Sequence, residues 1–170
     1  MSAVDLLRPA TWAEAPDAKA QHPDATPIAG GTDVMAGINA ADRRPAAPPD
    51  LTGAGELAEG PGADGRLRTG AGVSCARNID ELGARLPGPA VASRTVGSPR
   101  TGNRGTLGGH PATAPPAGDG HPPLVSSDAE IGVSPLRGSR MTPVGESSTG
   151  VKRTALAEDE LISRGCHRPR

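Results

Sequence analysis

Between Asn103 and Asp119 the chain sets three glycines, Gly105, Gly108 and Gly109, around one hydroxyl, Thr106, and closes the run with a carboxylate, Asp119. A glycine lets the backbone approach a ligand that a Cβ would hold off. Several N–H groups converging in such a loop make an anion-binding concavity. A second loop of this kind, Ala29-Gly30-Gly31-Thr32-Asp33, lies far upstream. There a short apolar run, a glycine turn and a capping residue put a helix N-terminus where a phosphate can sit. Each loop alone predicts no more than a turn. Together they predict a clasp for one phosphate-bearing cofactor. Neither continues into Gly-Lys-Ser/Thr and neither carries Gly-x-Gly-x-x-Gly, so Walker and Rossmann fingerprints are excluded.

Other chemistry is thinly supported. His22, His110, His121 and His167 do not fall at helical i, i+4 spacing or beside a Cys or Glu cluster, which speaks against a metal site. Cys75 and Cys166 stand apart, with no Cys-x-x-Cys pair. Asp119 and His121 could form an acid–base pair, but the sequence positions no nucleophile beside them and a solvated loop pair is the better reading. Ser98, Ser126 and Ser127 lack a nucleophile-elbow pattern. Arg100 and Arg104 flank the second glycine loop and either complement phosphate charge or face solvent.

Several elements must position these loops. Thr11-Trp12-Ala13-Glu14 fits a capping box opening an Ala-rich helix that Pro23 stops, with Trp12 as a core anchor. Thr26–Ala29 reads as a short strand, and Thr32 or Asp33 caps a helix through Met35 and Ile38. Asp50-Leu51 reads as a strand remnant. Gly60–Gly65 reads as a linker, with a subdomain boundary near it. Arg66–Val73 alternates as a strand. Ser74 caps a helix carrying Ile79, Leu82 and Leu86, which Pro87-Gly88-Pro89 ends, and Ala90–Val96 adds a short helical piece. Gly97–Pro123 reads as a long loop without regular structure, of the kind that is either functional or disordered. Ala129–Val133 and Met141–Val144 predict a hairpin turning at Arg137-Gly138. Lys152–Ile162 is helical or extended, and Ser163–Arg170 is a basic tail without periodicity.

The 170-residue chain suits one domain or two small ones. It has no Phe, no Tyr and one Trp. Leu, Ile and Val together make up about 15 % of residues, and Gly with Pro about a quarter, values near the borderline of disorder. A net charge of −1 adds no self-repulsion. A folded but poorly filled domain is expected. Balanced charge speaks against a nucleic-acid binder, and no apolar run has the length of a membrane span. With no signal-peptide pattern at the start, a cytoplasmic location is expected.

Pro27-Ile28-Ala29-Gly30-Gly31-Thr32-Asp33-Val34-Met35 resembles the first flavin loop of the FAD-binding (medium) subunits of the xanthine dehydrogenase and carbon monoxide dehydrogenase family of molybdenum hydroxylases, whose FAD domain is of the PCMH type. Ser98-Pro99, Asn103–Gly109, Ala112-Thr113-Ala114 and Pro116–Asp119 resemble its second loop. The likeness continues through Arg137–Met141, Thr149–Arg153 and Asp159–Ile162, and covers roughly residues 5–162. It implies an α+β fold of two small α/β subdomains, residues 1–58 and 59–162, with FAD stretched between them and residues 163–170 as an unrelated tail.

By the same resemblance, residues 27–34 supply backbone donors to the pyrophosphate. Thr106, Gly108, Gly109, His110 and Thr113 lie on the cofactor side of the second loop. Asp119 accepts from a sugar hydroxyl, and Ile162 lies near the flavin. No catalytic acid or base is implied. The implied partners are a molybdenum-cofactor subunit and an iron–sulfur subunit, with electrons passing through FAD to an acceptor such as NAD⁺. The sequence departs from the family pattern at Gly102, where Arg is usual, at His110, where Asn is usual, and at Ser147 and Ser148, where aromatics are usual. Beyond Ile162 the family continues through a strand and a further domain, so the chain reads as C-terminally truncated. The rival reading is a non-catalytic, partly disordered fragment that binds no flavin.

Overall fold

The computed structural model describes residues 7–41, 49–54, 66–135 and 138–167. Its fold is α+β: eight short α-helices and six strands among the described residues. The core is a four-stranded antiparallel sheet in the order β1-β6-β2-β3. Its strands are β1 (Leu67–Gly70), β2 (Glu130–Ser134), β3 (Arg140–Pro143) and β6 (Leu161–His167). The hairpin β2–β3 forms as expected, pairing Glu130 with Pro143 and Val133 with Arg140. Arg137 of its turn lies outside the described residues, as do the Gly60–Gly65 linker and the subdomain boundary placed near it.

β6 corrects the reading of Ser163–Arg170 as a tail without usable periodicity. As far as His167 these residues are the second half of a central strand, paired with β1 on one side and β2 on the other. Cys166 and His167 are buried, whereas Arg164 is exposed. Alternation was obscured because Arg164, Gly165 and His167 are not apolar, although His167 is only 1 % exposed.

Ile131, Val133, Leu161, Ile162, Leu124 and Val144 pack with a set of buried alanines, and Trp12 lies partly buried against them. Small side chains thus fill the core that aromatics usually fill. Ser147 is buried too, with its hydroxyl donating to the Val144 carbonyl at 2.7 Å.

The helices depart from expectation in instructive places. α1 (Ala15–Gln21) ends before Pro23 as predicted. The capping box does not form: the Glu14 carboxylate accepts from the Ala10 N–H at 2.9 Å rather than from that of Thr11, and the Glu14 N–H donates to the Thr11 carbonyl rather than to the hydroxyl. α3 (Cys75–Leu82) is capped by Ser74, whose hydroxyl accepts from the Arg77 N–H. It ends at Leu82, so Pro87 does not stop it. Pro87 instead opens α4 (Pro87–Thr95), at the first-turn position where its missing N–H costs nothing. The Gly97–Pro123 loop is largely helical: α5 (Pro99–Arg104), α6 (Gly109–Thr113) and α7 (His121–Ser126) occupy it. Proline sits in the first turn of α5 and of α7, and α5 has Ser98 as N-cap. Between Met141 and β6 the chain forms α8 (Val144–Ser147) and the small hairpin β4 (Ser148–Gly150) with β5 (Arg153–Thr154). No helix among the described residues is long and apolar enough to cross a membrane.

His167 carries a measurable consequence. Burial lowers its pKa to about 4, and Nδ1 has no partner, while Nε2 lies 3.3 Å from the Thr69 hydroxyl. The unfolded chain takes up this proton below the ordinary histidine value of about 6.5, and the folded chain resists it until about 4. Stability from this source is therefore full above pH 6.5 and lost as pH falls to 4, by roughly 3 kcal/mol. Urea unfolding at pH 7.5 and pH 4 should show this loss in the parent, and a correspondingly smaller loss in His167→Leu. Equal losses in both would show that His167 is not the group responsible.

Candidate functional site

The first glycine loop is fixed from behind by backbone pairing. The expected strand Thr26–Ala29 is reduced to a single parallel bridge, Ile28 with Asp50. Ile28 donates to the Pro49 carbonyl at 2.7 Å and accepts from the Leu51 N–H at 2.7 Å. Both main-chain groups of Ile28 are thus committed to anchoring. Gly31 follows at φ +78°, a left-handed turn that side chains resist. α2 (Thr32–Ala41) starts directly after it. Among the described residues, the backbone N–H groups from Gly30 to Val34 donate to no protein acceptor. Five consecutive free donors at a helix N-terminus form an anion site.

The second loop is held by the segment after β1. Gly108 donates to the Ala71 carbonyl at 3.1 Å, Leu107 to that of Val73 at 3.2 Å, and Gly105 accepts from the Cys75 N–H at 2.8 Å. A Cβ on Gly108 would lie 2.5 Å from that of Ala71, so only glycine fits this approach. The Thr106 hydroxyl oxygen accepts from the Gly109 N–H at 3.1 Å, which leaves its own proton free.

The loops meet directly. A Cβ on Gly30 would stand 1.9 Å from the Arg104 carbonyl oxygen at the end of α5. Thr113 of α6 bridges to the other loop, its hydroxyl 2.7 Å from Asp33 Oδ2 and 2.9 Å from the Gly109 carbonyl. Between and beside the loops lies a cleft of about 570 Å³. Its wall includes Pro27, Ala29, Gly30, Gly31, Thr32, Asp33 and Val34 from the first loop, and Thr106, Gly108, Gly109, His110, Thr113 and Asp119 from the second. Ile162 of β6 lines the same cleft, together with Leu156, Glu160 and Leu161, three residues that sequence reasoning did not single out. Ile28 is the one predicted site residue not on the wall.

The cleft histidine is neutral. Burial pushes His110 below the usual histidine range against the upward pull of Asp33 and Asp119, and nearby His121 lowers it further. His110 Nδ1 is buried without a partner, close to where a Cβ on Gly120 would sit. His121 is also lowered by burial, and neither of its ring nitrogens has a hydrogen-bond partner. No Asp119–His121 acid–base pair therefore forms. Among the described residues no cluster of three His, Cys, Asp or Glu could hold a metal.

The site thus offers free backbone donors and apolar side chains on one cleft wall, which fits a ligand carrying both phosphate and apolar groups. Residues 2–164 match the family model described as the FAD binding domain in molybdopterin dehydrogenase. The chain belongs to that family. It is 29 % identical over 162 residues to the xanthine dehydrogenase FAD-binding subunit of Escherichia coli O157:H7, covering 91 % of this chain and 54 % of that one. It is 29 % identical over 171 residues to the nicotinate dehydrogenase FAD-subunit of Eubacterium barkeri, covering 96 % and 57 %. Quinoline 2-oxidoreductase from Pseudomonas putida 86 superimposes with a TM-score of 0.92 at 26 % identity, over 99 % of this chain and 60 % of the other. The chain therefore spans little more than half the length of these relatives. FAD is the cofactor of this domain family, and the free donors, the close-packed glycines and the apolar wall fit it.

Gly30→Ala should force the two loops apart, because its methyl group would meet backbone rather than a movable side chain. A loss of about 1–3 kcal/mol in unfolding free energy is expected. Gly102→Ala, where a Cβ meets nothing within 4 Å, should cause no such loss. Chemical denaturation of both variants checks this, and equal stability of the two would refute the loop contact.

Proposed function

We propose that this chain is the FAD-binding part of the flavoprotein subunit of a molybdenum hydroxylase. Electrons would reach the flavin from an iron–sulfur subunit served by a molybdenum-cofactor subunit, and leave to an acceptor such as NAD⁺. What best supports this reading is the row of free N–H groups from Gly30 to Val34 facing the same cleft as the second glycine loop.

In this reading the two loops have different roles. Gly30 to Val34 donate to the pyrophosphate, with Pro27 and Ala29 shaping the approach and Ile28 anchoring it. The N–H groups of Gly108 and Gly109 are already engaged within the protein, so these glycines serve by allowing the ligand to come close. Thr106 offers its free hydroxyl proton. Thr113 holds Asp33 in place, and Asp119 accepts from a sugar hydroxyl. His110, being neutral, offers a hydrogen bond rather than a charge. Leu156, Leu161 and Ile162 cover the flat ring and exclude water. FAD supplies the redox chemistry itself, and the chain supplies binding and orientation.

Fluorescence titration with FAD tests the assignment. The parent chain should bind and turn yellow. Asp119→Ala should weaken binding by roughly 1.5–3 kcal/mol, the worth of a hydrogen bond to a charged group. Gly31→Val should abolish binding while circular dichroism stays unchanged. A parent chain that stays colourless with added FAD would defeat the proposal and favour a fragment without cofactor. Unchanged affinity in Asp119→Ala would remove that residue from the site.

A further inference from the structure

One ion pair stands out from the rest. Arg140 on edge strand β3 forks onto Glu160, with Nε 2.9 Å from Oε1 and Nη2 2.8 Å from Oε2. Nη2 also reaches the Ala155 carbonyl at 3.5 Å, and Nη1 bonds the Thr142 hydroxyl. The Ala157 N–H donates to Glu160 Oε2 at 2.9 Å, and the Glu160 N–H donates back to the Ala157 carbonyl at 3.0 Å. One guanidinium thus ties β3 to both ends of the turn that precedes β6. The Glu160 side chain is only 9 % exposed, against 44 % for Arg140.

The turn held in this way and the start of β6 that follows it present Leu156, Glu160, Leu161 and Ile162 to the cleft. Three of these are apolar, and Glu160 is the one carboxylate among them. The hydrogen bonds from Arg140 hold its carboxyl below the usual carboxylate range, with the Ala157 N–H assisting against partial burial. Glu160 is therefore ionised, and its charge is matched by the guanidinium beside it. A bidentate pair of this kind fixes orientation as well as charge.

We propose that Arg140 and Glu160 are a positioning pair for the flavin ring: they hold Leu156, Leu161 and Ile162 in place on the wall, and the guanidinium balances the Glu160 carboxylate. This rests on the FAD-binding reading above. A ring reduced by two electrons and one proton carries one more negative charge than the oxidised ring. An unpaired carboxylate beside it disfavours reduction, and an unpaired guanidinium favours it. Removing either partner therefore moves the potential in opposite directions, which a purely structural pair would not do.

The test is the midpoint potential of FAD bound to the full 170-residue chain, measured by redox titration of flavin absorbance, with FAD affinity alongside. Glu160→Gln keeps the shape and removes the charge. It should raise the potential and weaken FAD binding several-fold. Arg140→Met should lower the potential and weaken binding at least as much, and the double variant should return the potential towards the parent. Shifts of the same sign in both single variants, or no shift in either, overturn the proposal. If Arg140→Met does not fold, Arg140→Lys replaces it: charge kept and fork lost, it should weaken FAD binding with little change in potential. Parental affinity there would overturn the positioning role. A parent chain that binds no FAD defeats the cofactor reading itself. A parent that binds FAD, with unshifted variants, defeats only the role of the pair.

Discussion

The whole site depends on two backbones touching where no side chain can stand. Gly30 and the Arg104 carbonyl approach so closely that a Cβ would fall 1.9 Å from the oxygen. The contact brings a helix N-terminus from one part of the chain against a loop some seventy residues later. Everything around it secures that approach. Ile28 pairs with Pro49 and Leu51 behind the first loop. Ala71 and Val73 accept from the second, and the Thr113–Asp33 bond closes the gap from the side. Apolar burial is modest because the core is built from small side chains, so hydrogen-bonded backbone carries an unusual share of the positioning.

The two glycine loops look alike in sequence and do different physical work. In the first, the glycine turn at Gly31 leaves a run of N–H groups without partners, and free donors at a helix start attract negative charge. In the second, the donors of Gly108 and Gly109 are satisfied internally. Here the lack of a Cβ matters for approach, not for donation. Another part of the cleft wall comes from a third region, the turn before β6, which Arg140 grips from β3. Loop, brace and wall come from distant stretches of chain, which explains why such a thin sequence still encodes a defined site.

Much of the site was legible because it rests on backbone chemistry that glycine spacing reports directly. Ser74 as a helix cap and the β2–β3 hairpin were readable for the same local reasons. What failed depended on tertiary context. Pro87 was read as a stop when its position at the start of α4 makes it a beginning. The Gly97–Pro123 stretch holds three helices of five or six residues, too short to show periodicity through so many glycines and prolines. The strand at Leu161–His167 was hidden because a buried histidine and a glycine occupy positions where alternation would show apolar residues. Glu160 was visible only as part of the Asp159–Ile162 likeness, because nothing in the sequence ties it to Arg140.

Amide hydrogen exchange resolved by residue, with and without FAD, tests the central claim most directly. Without FAD, the N–H groups from Gly30 to Val34 should exchange fast, because they have no acceptor, while those of Gly108 and Gly109 should already be protected. With FAD bound, the first set should slow sharply and the second should change little. Fast exchange from Gly30 to Val34 in the FAD-bound chain would contradict the account, because the pyrophosphate would then lie elsewhere.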